Sequence, residues 1–276
     1  MSLTVGHITY ANCAPFFHYL KECGFDGQIV KGVPAELNQL LATGSLDICP
    51  ASSIEYALNA DDYYVLPGHS ISSIGPVQSV LLFSDLPLSS LNGVPILITG
   101  ESATSVALLK LILLEFFQLE DVVFQKEDLS VEALATTSSP ALLIGDRALK
   151  ARLGAIGADM VIDLGELWYH YTGLPFVFAL WVVNKSIALN QEGEVCEFVR
   201  QLKLSCNKAF LSLDAVARES AEKEWMGVDG LIDYWQQVSY DLDPLHIEGL
   251  RCFYLLLEKH GMIDAVPEIK FFNTSG

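Results

Sequence analysis

From Leu3 to Asn59 the chain alternates short apolar runs with amphipathic helical segments, and this alternation constrains the fold more than any other feature of the sequence. Leu3–Tyr10 reads as a strand, Ala14–Cys23 as a helix and Gln28–Gly32 as a strand. Pro34–Thr43 reads as a helix with Leu37, Leu40 and Leu41 on one face and Gly44 as its stop. Leu46–Pro50 supplies a third strand, and Ser52-Ser53 opens a helix over Ile54–Asn59. Parallel neighbours cannot be joined by a tight turn, so a βαβαβα order calls for a parallel sheet with helices packed on its faces.

Tyr63–Pro67 and Gln78–Ser84 add two more strands, and the proline- and serine-rich stretch Asp85–Gly93 reads as a connection. A second α/β unit follows. Val94–Thr99, Val122–Gln125 and Ala141–Ile144 are its strands, Val106–Phe117, Arg147–Leu153 and Leu164–Tyr171 its helices. Gly173-Leu174-Pro175 breaks the last helix before a long apolar strand, Phe176–Asn184. Residues 187–262 read as almost wholly helical, with a last short strand at Pro267–Phe272. A chain that leaves one α/β unit, builds a second and returns predicts two lobes: residues 1–88 with 178–276, and residues 89–177. Ligands of such folds sit in a cleft walled by strand C-termini and helix N-termini.

Composition narrows the function classes. With 16 Lys and Arg against 34 Asp and Glu the net charge is −18, and no basic run is present to displace counterions, so neither nucleic acid nor an anionic membrane is an expected partner. No apolar run is long enough to cross a bilayer, and the N-terminus lacks a secretory pattern, so the expectation is a cytoplasmic protein acting on a small molecule. Six scattered cysteines form no Cys-x-x-Cys pair, and six scattered histidines form no ligand pair at helical spacing. The expectation is therefore reduced thiols and no metal site.

Four turns after strands carry small polar residues at or before a helix start: Asn12, Ser52-Ser53, Thr104-Ser105, and Gly145-Asp146. Each alone is an ordinary cap; together they would aim backbone N–H groups, hydroxyls and amides at one crevice. The stretch His69–Val80 adds hydroxyls and a Gly-Pro turn, with Ser73 and Gly75 before the strand and Ser79 predicted to point inward. The aromatic stretches 168–171 and 176–181 read first as core and hinge packing, with Tyr171 or Phe176 able to stack on a planar ring. Neither Gly-x-Ser-x-Gly nor a phosphate loop is present. Cys13 reads as a buried thiol before it reads as a nucleophile, and His7 as a packed strand residue before a base.

In order, Gly6-His7-Ile8, Asn12-Cys13-x-Pro15, Gly75-Pro76-Val77-x-Ser79, Ser102-x-Thr104-Ser105, Leu143-Ile144-Gly145-Asp146-x-Ala148-Leu149 and Trp168-x-x-x-Thr172-Gly173-Leu174-Pro175-Phe176 resemble the chorismate dehydratase family of the futalosine route to menaquinone. The resemblance runs from residue 3 to about 185. It implies an α/β fold of two lobes similar to type II periplasmic binding proteins. It also implies a hydro-lyase, without metal or organic cofactor, that converts chorismate to 3-(1-carboxyvinyloxy)benzoate and water. Carried over motif by motif, it makes Asn12 and Ser79 catalytic and places Ser52, Ser53, Ser73, Gly75, Thr104, Ser105, Gly145, Asp146, Tyr171 and Phe176 at the substrate. Two other readings share the fold: the 1,4-dihydroxy-6-naphthoate synthase of the same pathway, and a non-catalytic solute-binding protein.

Chorismate is a dianion, yet residues 1–109 hold only Lys21 and Lys31 and no arginine. Its carboxylates must then rest on oriented backbone and hydroxyl donors, each helix end contributing roughly 0.3–1 kcal/mol. Among the matched motifs Asp146 is the only anionic candidate for a base, which points to a carboxylate of the substrate itself as the proton acceptor.

Overall fold

The computed structural model describes residues 2–100, 102–127, 138–154 and 159–274. Strands β1 (Thr4–Ile8), β2 (Gln28–Gly32) and β3 (Ile48–Ser52) lie parallel. Helices α1 (Ala14–Phe17) and α2 (Pro34–Ala42) occupy the crossovers, and α3 (Ser53–Leu58) follows β3. Next comes β4 (Tyr63–Ser73). The loop serines expected before Gly75 belong to this strand: Ser70, Ser72 and Ser73 are all buried, because neighbouring strands flank them on both sides.

The second sheet holds β5 (Val80–Ser84), β6 (Pro95–Ile98), β7 (Val123–Lys126), β8 (Ala141–Ile144) and β9 (Met160–Asp163), in the order β7-β6-β8-β5-β9. Helix α4 (Ala103–Leu111) follows β6 and widens into a π-helical turn over Ile112–Phe116. Helices α5 (Gly145–Leu153) and α6 (Leu164–Thr172) follow β8 and β9. The chain then returns through β10 (Phe176–Asn184), which inserts antiparallel between β3 and β4.

The first sheet is completed by β11 (Val238–Leu242) and runs β11-β4-β10-β3-β1-β2. Around it lie α7 (Lys185–Asn190), α8 (Glu192–Phe210), α9 (Leu213–Glu219), α10 (Lys223–Met226), α11 (Val228–Gln237) and α12 (Pro244–Lys259). The strand β11 interrupts the region read as helical, and residues 267–272 contribute only an isolated bridge from Phe271 to Val65.

The first crossing falls earlier than the 88/89 boundary read from the sequence. Because β5 pairs with β8 and β9, the change of sheet lies between Ser73 and Val80, and the proline- and serine-rich stretch is a loop within the second lobe. The return lies at residues 173–175, close to the expected 177/178. Burial explains why β3 and β10 are central. Every residue of β3 is buried, and so is every residue of β10 except Asn184, the pattern of strands covered on both faces. Trp181 meets Phe16 edge to face at 5.3 Å, and Phe176 meets Phe253 at 4.9 Å, each buried ring contributing roughly 1.5–3 kcal/mol.

Candidate active site

The turn after β1 is a single 3-10 turn, Ala11–Cys13, that brings Asn12 to the gap between the lobes. Three bonds hold its backbone. The Ala11 N–H donates to Asp146 Oδ1 at 2.9 Å, Trp235 Nε1 donates to Ala11 O at 2.8 Å, and the Tyr240 hydroxyl donates to Asn12 O at 2.8 Å. The side chain is left free to face the gap. Its carbonyl oxygen Oδ1 is buried with no hydrogen-bond partner, a costly state that a ligand donor would relieve.

Ser79 stands opposite, at the end of the crossing from β4 to β5. Gly75 at φ +88° and Gln78 at φ +63° turn the chain there through the left-handed region. Asp163 fixes the turn: its carboxylate accepts from Val77 N at 3.1 Å and Gln78 N at 2.7 Å, while also capping α6 through Gly165 N and Glu166 N. Burial raises the Asp163 carboxyl, and those four N–H donors oppose the rise. Ser79 is buried, accepts a hydrogen bond from the Tyr234 hydroxyl at 2.9 Å, and makes only a long 3.4 Å bond of its own to Val77 O.

Between these residues lies a slot whose empty space, counted together with its open mouth, is about 530 Å³. Its polar lining comes from Tyr10, Asn12, Ser52, Ser79, Ser102 and Ser105, and Gly145 closes one side. Apolar walls are provided by Ile8, Ile71, Val77, Ile144 and Phe178. Among the described residues its lining includes no lysine, arginine, histidine or carboxylate. Helices α4 and α5 both begin at the slot, and Ser102 caps the first of them by accepting from Ser105 N at 3.2 Å. Gly145 sits at φ +56°, and a Cβ there would lie 2.8 Å from the Tyr10 ring, so that only glycine lets the start of α5 approach Tyr10 this closely.

Asn12, Ser52, Ser79, Ser105 and Gly145 thus meet as the sequence predicts. Other predicted residues act elsewhere. The Ser53 hydroxyl donates to Val177 O, and Thr104 Oγ1 accepts from Ile54 N at 3.1 Å, tying α4 to α3 across the lobes. Asp146 is spent on Ala11 N, and neither Ser73 nor Gly75 lines the slot, both lying against α6 at Gly165. Tyr171 is exposed and stacks on Phe116 at 4.4 Å, while Phe176 is packed among Trp168, Phe178 and Phe253. These packing contacts take up both rings outside the slot, and Phe178, two residues along the strand from Phe176, lines it instead.

The structure also adds residues with little local signal in the sequence. Tyr10 and Ser102 flank recognised turns, whereas Asp163, Tyr234, Trp235 and Tyr240 are brought in from segments far along the chain. Cys13 is fully buried, and burial followed by the Asp146 charge pushes its thiol far above the usual range, so it is an inert packed group. His7 stacks on Phe17 at 3.8 Å, and burial with nearby Lys31 lowers it to about 4, leaving it neutral. Among the described residues no group of three or more His, Cys, Asp or Glu is arranged to hold a metal ion.

Comparison with solved structures reports the fold. A structural-genomics target from Archaeoglobus fulgidus superposes with a TM-score of 0.73 at 18% identity, covering 95% of this chain and 98% of its own. The alkanesulfonate-binding protein SsuA from Xanthomonas axonopodis pv. citri gives 0.70 at 16% identity, covering 98% and 96%. The architecture is thus that of periplasmic binding proteins. Sequence relatives are nearer. The chorismate dehydratase of Thermus thermophilus is 38% identical over 260 residues, 88% of this chain and 91% of its own length. That of Campylobacter jejuni is 32% identical over 193 residues, 68% and 70% of the two chains. A family model described as menaquinone biosynthesis matches residues 3–259, and the chain belongs to this menaquinone-biosynthesis family, which it shares with the chorismate dehydratases.

Proposed function

We propose that this protein is a chorismate dehydratase, removing water from chorismate to give 3-(1-carboxyvinyloxy)benzoate in menaquinone biosynthesis, and that Asn12 and Ser79 carry the reaction. The observation that supports this most is a slot, without a charged side chain among the described residues, lined by both Asn12, whose carbonyl oxygen is buried without a partner, and Ser79, whose hydroxyl is bound only weakly on its donor side. The elimination takes a proton from the ether-bearing ring carbon and breaks the adjacent carbon–hydroxyl bond. The C–H electron pair becomes the new ring double bond, and the proton and hydroxide leave together as water. Aromatisation makes the step strongly downhill, so the protein need only start it.

Among the described residues the lining holds no carboxylate or histidine to serve as a side-chain base. The proton acceptor in this reading is a carboxylate of the substrate, poised beside its own C–H. Asn12 and Ser79 hold the departing hydroxyl, the amide presenting its carbonyl or its NH2 to it. Ser52, Ser102, Ser105 and the starts of α4 and α5 hold the substrate's carboxylates. The pinned turn at Ala11–Cys13 and the Asp163-held crossing fix both reacting residues before substrate arrives. A cytoplasmic location is part of this reading, and among the described residues no helix is long and apolar enough to cross a membrane.

The test is to incubate the purified protein with chorismate and follow the aromatic enol ether by absorbance and mass. Conversion at enzymatic rates is expected. Tight binding without conversion would overturn the reading in favour of a solute-binding role.

A further inference from the structure

Helix α11 and strand β11 lie far from the matched motifs, yet they supply the partners of both reacting residues. Trp235 and Tyr240 hold backbone carbonyls of the Asn12 turn, while Tyr234 alone reaches a reacting side chain, donating to Ser79 Oγ at 2.9 Å. Tyr234 is 1% exposed, so no solvent competes for its hydroxyl.

We propose that Tyr234 is a positioning residue for the dehydration, occupying an acceptor site of Ser79 so that the serine can present its own proton to the departing hydroxyl of the substrate. This rests on the assignment of Ser79 to the reaction. A serine hydroxyl has one proton and two acceptor sites. With the Tyr234 O–H directed at one lone pair, the serine proton must point elsewhere. In this structure its outlet is the Val77 carbonyl at 3.4 Å, too long to compete with a substrate oxygen. A donor feeding Ser79 also polarises its O–H and strengthens the outgoing bond. Burial raises the Tyr234 phenol well above its ordinary range, so the ring stays protonated and acts as a fixed donor throughout turnover.

Tyr234→Phe keeps the ring and removes only the donor. Steady-state kinetics on chorismate should show kcat lowered roughly three- to tenfold, the size of one net hydrogen bond, with KM changed less than about twofold. Tyr56→Phe is the matched control. Its hydroxyl also bonds within the protein, donating to Glu268 O and accepting from Lys270 N, and it lies outside the slot; its kcat should equal that of the parent. In a Ser79→Ala background, with product counted by mass over long incubations, adding Tyr234→Phe should bring no further loss. The proposal is overturned if Tyr234→Phe retains the parental kcat, or if it costs the same factor with and without Ser79. Parental turnover by Ser79→Ala alone would instead remove the assignment of Ser79, and this inference with it.

Discussion

The Asp146 carboxylate accepts a hydrogen bond from the Ala11 backbone N–H at 2.9 Å, and the two residues belong to different lobes. The same contact fixes the turn that presents Asn12. One contact thus both joins the lobes and holds the turn that carries Asn12. A second crossing bond, from Ile54 N to Thr104 Oγ1, ties α3 to α4 in the same way. Hinged clefts that exclude water on closing commonly prepare their chemistry like this.

Asp146 makes the first bond at a cost. Burial, aided by repulsion from Glu222 and opposed by the Ala11 N–H and Lys150, pushes its carboxyl from 3.8 to about 6. A carboxyl raised in the folded state favours folding most below its unfolded value and loses that contribution as pH rises through 6. Asp146→Asn retains a carbonyl acceptor for Ala11 without the charge. It is expected to be more stable than the parent at pH 8, by up to about 3 kcal/mol, with the gap closing towards pH 4. Urea unfolding at the two pH values measures this, and parallel pH–stability curves would refute it.

Thr104→Val keeps the shape of the side chain and deletes the acceptor for Ile54 N. The orphaned donor is buried at the start of α3, so a loss of about 1–3 kcal/mol is expected in urea unfolding. Unchanged stability would mean that the Ile54 N–H finds another partner.

Asp163→Ala releases four backbone donors at once, two from the crossing that carries Ser79 and two from the start of α6. A loss of at least about 3 kcal/mol is expected, together with a lower kcat in whatever fraction stays folded, because the loop before Ser79 loses its anchor. Parental kcat in the folded variant would show that β5 alone positions the serine.

An uncharged slot in a chain of net charge −18 also fixes a sign for the effect of salt. Added salt screens repulsion between the protein and a dianionic substrate and removes no lysine or arginine contact, so KM should stay level or fall modestly between 50 and 500 mM salt. A steep rise in KM, as a basic patch would give, would contradict the lining described above.

The alternation through Asn59 was legible because crossover helices and buried strands have different periods, and the four polar turns could be found because each ends a strand before a helix. Three of those turns, at Asn12, Ser52 and Ser105, reach the slot with their side chains, and Gly145 reaches it through its backbone. What failed was local pattern where tertiary pairing decides. Strand β11 follows Trp235-Gln236-Gln237 with no glycine or proline before Asp243-Pro244, so Val238–Leu242 reads as more helix. The lobe boundary was drawn at a proline-rich loop, although left-handed backbone at Gly75 and Gln78 makes the actual crossing. Thr104 and Asp146 have the chemistry of ligand donors and acceptors, but their partners are backbone N–H groups in the other lobe, which only the assembled fold brings near.

The proposed elimination depends on Asn12 and Ser79, with no side-chain base among the described residues of the slot. The most direct measurement is kcat on chorismate for Asn12→Ala and Ser79→Ala, with folding checked by circular dichroism. Each is predicted to lose at least about 100-fold, the scale on which removing one oriented donor at a reacting oxygen is felt. Turnover at the parental rate in both variants would contradict it.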